Sequence, residues 1–193
     1  MKRQPARVLE PADVRRLITH AKQRRHELRD KTIILLSFFA GLRACEIAGI
    51  TWPMVLRTDG CIADHLSISK HIAKYGSGRR VPLHPDLQNA LALHHRALGR
   101  PSDGAVIKSE RGGHMTPRSI VNWFHRIYAE LGLNGCSSHS GRRTFITRSA
   151  RIIAKVGGSL RDVQELAGHR ALTTTERYIE GDREAQRKLV RLL

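Results

Sequence analysis

The longest apolar stretch of the chain, Ile33 to Leu42, is interrupted by Ser37 and is far too short to cross a bilayer. Read as a helix over 31–41 that ends at Gly41, it is apolar nearly all round and therefore buried. The elements beside it are legible from their own spacing. Val14, Leu17, Ile18 and Ala21 recur at helical intervals with Pro11 in the first turn, predicting an amphipathic helix over 11–29. A shorter helix is expected over 44–49.

Ile62 to Ile72 alternates and contains β-branched residues, and Arg80 to Leu83 forms a second short strand, with Gly76 and Gly78 as turn residues between them. A β-hairpin or three-stranded sheet follows from this, with a further short strand at 105–108. Leu87, Ala90, Leu91 and Leu98 line the next helix. Thr116-Pro117 supplies an N-cap and an N1 proline for a helix carrying Ile120, Phe124, Ile127 and Leu131, ended by Gly132. Phe145, Ser149, Ile152 and Val156 mark another helix. Ser159 and Asp162 form a capping box for a helix to about Ala167. Thr173 or Thr174 can cap a short helix carrying Tyr178, and 183–193 reads as a last amphipathic helix. The expected fold class is α+β, mainly helical with one small antiparallel sheet, in a single domain over 1–193.

Charge decides the class of partner. Among 193 residues, 34 Lys and Arg stand against 17 Asp and Glu, a formal net charge of +17. The excess is concentrated. His65 to Pro85 holds Lys70, Lys74, Arg79 and Arg80 with no acid, and Leu131 to Arg161 holds Arg142, Arg143, Arg148, Arg151, Lys155 and Arg161 with no acid. One such run is ordinarily a solvated face; two, far apart, describe an extended positive surface suited to nucleic acid. Without RGG repeats or clustered aromatics, double-stranded DNA is the better partner than single-stranded RNA. Cys45, Cys61 and Cys136 are odd in number with no CxxC pair, which argues against a disulfide framework or a structural zinc site. Met1 to Arg29 carries no apolar stretch of the signal-peptide kind, so an intracellular protein with no membrane span is expected.

Four segments carry residues suited to phosphate chemistry. In Gly41-Leu-Arg43-Ala-Cys-Glu46, Glu46 can hold the arginine, although a structural i,i+3 pair reads the same way. Lys74 sits at a glycine-rich hairpin turn, where solubility alone also places lysines. His139-Ser-Gly-Arg142 puts imidazole and guanidinium on one helix face beside free backbone N–H groups, a pairing that chance also produces. Leu166-Ala-Gly-His169 is followed nine residues later by Tyr178, which is equally well an ordinary half-buried aromatic.

Their ordered co-occurrence resembles the catalytic domain of the tyrosine recombinases, the phage integrase family, over roughly residues 8–180. The order there is arginine, hairpin lysine, His-x-x-Arg, His or Trp, then tyrosine. Arg43 lies in a Gly-Leu-Arg-x-x-Glu block, and Lys74 precedes the proline of Val-Pro-Leu by eight residues, as in the Xer-type enzymes. The resemblance implies a site-specific recombinase that cleaves DNA by tyrosine attack, leaving a 3′-phosphotyrosine and a free 5′-hydroxyl. It assigns Tyr178 as nucleophile, Arg43 and Arg142 as clamps on the phosphate oxygens, and His139 and His169 as hydrogen-bonding partners of the same phosphate. His139 also accepts the tyrosine proton, Lys74 protonates the leaving oxygen, and Glu46 supports Arg43. No metal, no ATP and no other cofactor are implied. Lys70, Arg79, Arg80, Arg143 and Arg148 are expected to contact DNA.

Self-association on DNA is implied as well, with no small-molecule substrate and a cytoplasmic, nucleoid-associated location. The box usually reads His-Asp-Leu-Arg-His; here Gly141 stands in place of an apolar helix residue, at a helix cost of about 1 kcal/mol. Only 40 residues precede the Gly-Leu-Arg block, so the family's N-terminal core-binding domain is expected to be absent. Type IB topoisomerase-like relaxation and a non-cleaving DNA-binding regulator are the competing readings.

Overall fold

Pro11 at a first-turn position starts helix α1 (Pro11–Lys22), and α2 (Glu27–Phe39) follows after a four-residue turn. The computed structural model describes residues 5–73, 76–178, 190 and 191. The expected helix over 11–29 is therefore two, with the break at 23–26. No glycine or proline marks the turn. Arg24 bridges the turn: its Nε donates to Asp30 at 3.1 Å and its Nη1 to Glu130, 106 positions on, at 2.6 Å.

The apolar run behaves as expected. Ile33, Ile34, Leu35 and Leu36 are all fully enclosed, and α2 packs against α1, α4 (Pro85–Ala97) and α6 (Ser140–Ile152). Helix α3 (Ala44–Gly49) packs on α5 (Pro117–Glu130). Thr116 Oγ1 accepts from the N–H of Ser119 at 3.0 Å, the cap read from the sequence.

The sheet, among the described residues, is two-stranded: β1 (His65–Ile68) antiparallel to β2 (Arg79–Pro82), with Leu66 opposite Val81. Leu66, Ile68 and Val81 face the core. The strand expected over 62–72 is thus shorter. At 105–108 there are only isolated bridges, Thr51 to Ala105 and Lys108 to His114.

Two short helices complete the described chain, α7 (Leu160–Ala167) and α8 (Leu172–Glu176). The Ser159–Asp162 box starts α7, and Gly168 ends it at φ 62°, a left-handed conformation glycine adopts without strain. Ala171, not Thr173 or Thr174, precedes α8, and Tyr178 lies in the turn beyond it. The amphipathic helix expected over 183–193 falls outside the described residues apart from 190 and 191.

A main core runs from Leu9 to Leu133 through Trp52 and Phe124. A second, small cluster of Ile146, Val163 and Ala167 carries Phe145, Ile153, Leu160 and Tyr178 on its edge. Arg142, His169 and Tyr178 lie where these two bodies meet. Among the described residues, no helix is long and apolar enough to cross a membrane.

Candidate active site

Arg142 stands at the centre, on the first turn of α6, with 3% of its surface exposed. Its Nη1 donates to the carbonyl of Gly41 and its Nη2 to the carbonyl of Ala167, both at 2.6 Å. Nη2 also donates to Nε2 of His169 at 2.9 Å. One guanidinium thereby joins the end of α2, the start of α6 and the end of α7. Burial, with the charges of Arg43 and Arg79, pushes its pKa down to about 10, partly offset by Glu46 and Tyr178. It stays protonated at neutral pH.

The close approach of α6 to α2 explains Gly141. A Cβ there would lie 2.2 Å from Ser37 Oγ and 2.9 Å from Ser37 Cβ. The glycine that departs from the family pattern is therefore a contact requirement between two helices. Gly41 answers a similar demand: its φ is 61°, and a Cβ would meet the Phe145 ring at 2.4 Å.

Beside Arg142, Arg43 caps α3 from an extended conformation. Its N–H donates to Glu46 Oε2 at 2.8 Å and its Nη1 to Oε1 at 3.1 Å. Glu46 has no exposed side-chain surface and also takes both Arg79 nitrogens, Nη1 at 2.8 Å and Nη2 at 3.1 Å. Burial alone would raise the Glu46 pKa; the hydrogen bond and charge of Arg79, then those of Arg43, outweigh it and hold the carboxyl below its ordinary value.

Arg79 is placed differently from the expectation of a DNA contact. Only 6% of its side chain is exposed, and its Nε donates to the carbonyl of Leu166 at 2.8 Å. Inward-facing and paired, it belongs to the floor of the site.

His169 is 9% exposed and sandwiched between Arg142 and Thr175, whose Oγ1 lies 2.9 Å from Nδ1. Burial, then the charges of Arg142, Arg43 and Arg79, push its pKa down to about 4. The imidazole is neutral at physiological pH. Tyr178 stacks on this ring at 5.6 Å between centroids, and the Arg143 guanidinium carbon lies 5.8 Å from the Tyr178 ring centre. His139, exposed at the N-cap of α6, shares with Tyr178 and Arg143 an open cleft of about 500 Å³, bounded by Pro5, Ala6, Ser137 and Ser138.

Arg43, Arg142, His169 and Tyr178 are thus brought together, with His139 at the cleft beside them. Lys70 and Arg80 lie exposed on the hairpin, Arg80 against the His65 ring, and Arg148 is half-buried on α6. Lys74 lies outside the described residues. Sequence reasoning missed Thr175 and the three carbonyls of Gly41, Leu166 and Ala167. Thr175 had a signal, three residues before Tyr178, but its run of threonines reads first as capping; main-chain carbonyls have no signal in side-chain identity.

The family model described as "Phage integrase family" matches residues 7–184. The chain belongs to the phage integrase family. Relatives within it include Tyrosine recombinase XerC of Bradyrhizobium diazoefficiens, 32% identical over 162 residues, which cover 81% of this chain and 47% of the relative. XerC of Pseudomonas fluorescens is 31% identical over 160 residues, 80% of this chain and 49% of that one. The chain thus spans about half the length of the curated relatives it matches.

Among solved structures, the Tn1549 transposon integrase in complex with a circular intermediate DNA superposes with a TM-score of 0.77 at 17% identity, covering 100% of this chain and 67% of that one. XerH site-specific recombinase bound to its difH substrate gives 0.73 at 19% identity, 98% of this chain and 55% of that one. At these identities the likeness establishes the fold.

Proposed function

We propose that this chain is the catalytic domain, over residues 1–193, of a site-specific recombinase that cleaves and rejoins duplex DNA through a covalent phosphotyrosine. The observation that carries this reading is the meeting of Arg43, from just beyond the end of the apolar α2, with Arg142, His169 and Tyr178, which lie 99 to 135 positions further along the chain. In support, relatives are named tyrosine recombinases, and XerH was solved with a difH substrate.

The chemistry follows from charge and geometry. Tyr178 Oη attacks the scissile phosphorus, the bond to the 5′-oxygen breaks, and the phosphate remains on the tyrosine. Arg43 and Arg142 offset the charge on the non-bridging oxygens, which is largest in the pentacoordinate state. His139, on the cleft beside Tyr178, takes the phenol proton, and Lys74 gives a proton to the departing 5′-oxygen. Rejoining is the reverse attack by a 5′-hydroxyl, so the bond energy is kept and no nucleotide is consumed. Neutral His169 orients Arg142 instead of adding charge.

Lys70, Arg80, Arg143 and Arg148 serve DNA phosphates around this centre. The residues of 183–193 carry self-association of subunits on paired half-sites.

The test is a duplex nicked beside the cleavage position, which traps the covalent adduct. The wild-type chain should form a denaturation-resistant DNA–protein link, and Tyr178→Phe should bind the duplex yet form none. Binding without an adduct from the wild type would favour the non-cleaving regulator; an adduct from Tyr178→Phe would show the nucleophile to be another residue.

A further inference from the structure

Glu46 is hydrogen-bonded to capacity. A carboxylate presents about four acceptor positions, and four donors occupy them: Arg79 Nη1 and Arg43 Nη1 on Oε1, Arg79 Nη2 and the Arg43 N–H on Oε2. Arg79 holds the planar, bidentate arrangement at 2.8 and 3.1 Å, and Arg43 is left with a single side-chain contact at 3.1 Å. Among the described residues, Arg43 Nε and Nη2 make no hydrogen bond, and 15% of the Arg43 side chain remains exposed.

An arginine facing a buried carboxylate otherwise takes the fork-to-fork geometry itself, because that pairing is the strongest available to both groups. Here the competing guanidinium is anchored from a third side by the Leu166 carbonyl at 2.8 Å, and it fills the space beside Gly168, where a Cβ would meet it at 3.0 Å. It cannot easily leave.

We infer that Arg79 is a positioning residue for strand cleavage: by occupying Glu46, it keeps the Arg43 guanidinium from closing onto that carboxylate and so leaves it available to the scissile phosphate. This rests on the reading of Arg43 as a phosphate clamp. It replaces a direct DNA contact for Arg79, which its 6% exposure does not serve, and it differs from a merely structural ion pair in what it predicts for a double variant.

Without Arg79, Glu46 captures Arg43; without both Arg79 and the Glu46 charge, Arg43 is released. The full chain is compared as wild type, Arg79→Met, Arg79→Met/Glu46→Gln and Arg43→Ala. The readouts are half-site binding at several salt concentrations, single-turnover adduct formation on the nicked duplex at saturating protein, and thermal melting. Arg79→Met should bind within about threefold of wild type with an unchanged salt slope, whereas a phosphate contact would lower that slope by about one. Its adduct formation should fall about 100-fold, the scale of losing one charge-stabilising donor. The double variant should regain at least about tenfold of that loss.

Equal cleavage defects in the single and double variants, or a binding defect that accounts for the loss, would overturn the inference. Should Arg79→Met fail to fold by melting, Arg79→Lys against Arg79→Lys/Glu46→Gln reads the same difference, since lysine cannot engage both oxygens. A wild-type chain that forms no Tyr178-dependent adduct, or an Arg43→Ala variant that cleaves normally, overturns the underlying reading; normal cleavage by Arg79→Met beside a crippled Arg43→Ala overturns only the role of Arg79.

Discussion

Arg142 donates from Nη2 to Nε2 of His169 at 2.9 Å, and a guanidinium can only donate, so Nε2 carries the lone pair and the proton sits on Nδ1. That proton is then given to Thr175 Oγ1, 2.9 Å away. The tautomer of His169 is fixed from both sides, and so is the rotation of its ring against Tyr178. Both ring nitrogens of His169 are thus engaged within the protein, Nε2 by Arg142 and Nδ1 by Thr175.

Thr175→Val tests that chain of hydrogen bonds. It removes the acceptor of the Nδ1–H and leaves a buried donor unmet, a cost of about 1–3 kcal/mol. The protein should fold with a lowered melting temperature, and single-turnover adduct formation should drop about tenfold, the equivalent of one hydrogen bond in the transition state. Thr175→Ser, which keeps the hydroxyl, should restore most of the rate. Cleavage by Thr175→Val at the wild-type rate would show that the tautomer is irrelevant to the chemistry.

Stability should fall on mild acidification. His94 is 5% exposed, and its Nε2 meets the Val106 carbonyl at 2.9 Å. Burial holds its pKa below the ordinary 6.5, against that hydrogen bond, with the charges of Arg29 and Lys108 adding to the lowering. His169 is pushed down to about 4. For both, the unfolded chain binds more protons than the folded one, so stability is fully present above pH 6.5 and is lost as pH falls from 6.5 towards 4. The low-pKa carboxyls, such as Glu46, act only at lower pH, below their ordinary 4.5. Melting temperatures at about pH 7.5, 6 and 5 should decline steadily, and His94→Gln should flatten part of that decline. A melting temperature independent of pH over this range would contradict the neutral, buried state of the two rings.

Gly141→Ala separates helix propensity from packing. Propensity alone predicts a gain, of at most about 1 kcal/mol at this first-turn position. The contact with Ser37 predicts the opposite, since a Cβ 2.2 Å from Oγ and 3.2 Å from the Ser37 main chain must push α6 off α2, at about 1–3 kcal/mol for overpacking. The alanine variant should melt several degrees lower, with about 2–4 °C for each kcal/mol in a chain of this size. Its cleavage should suffer too, because Arg142 is the next residue. Ser37→Gly in the same chain should recover cleavage. An alanine variant more stable than wild type would show that the two helices are free to separate.

Elements that positions three or four residues apart can specify are legible in the amino-acid order alone. The Ser159–Asp162 capping box, the Thr116-Pro117 start, the helix end near Ala167 and the buried apolar α2 each depend on neighbours along the chain, and they form as expected. The ordered motif of Arg43, His139, Arg142, His169 and Tyr178 is equally readable, because the residue types themselves carry the chemistry. Tertiary structure alone showed the break between α1 and α2, where Arg24 reaches Glu130 across 106 positions. It decided that Arg79 faces inward to a carboxylate 33 positions away, and that Gly141 answers to Ser37. Local spacing fixes which face of a helix is apolar; only the packed chain fixes which carbonyl, carboxylate or backbone stands opposite, and it is those partners that turn a basic residue into a surface charge or into the floor of a site.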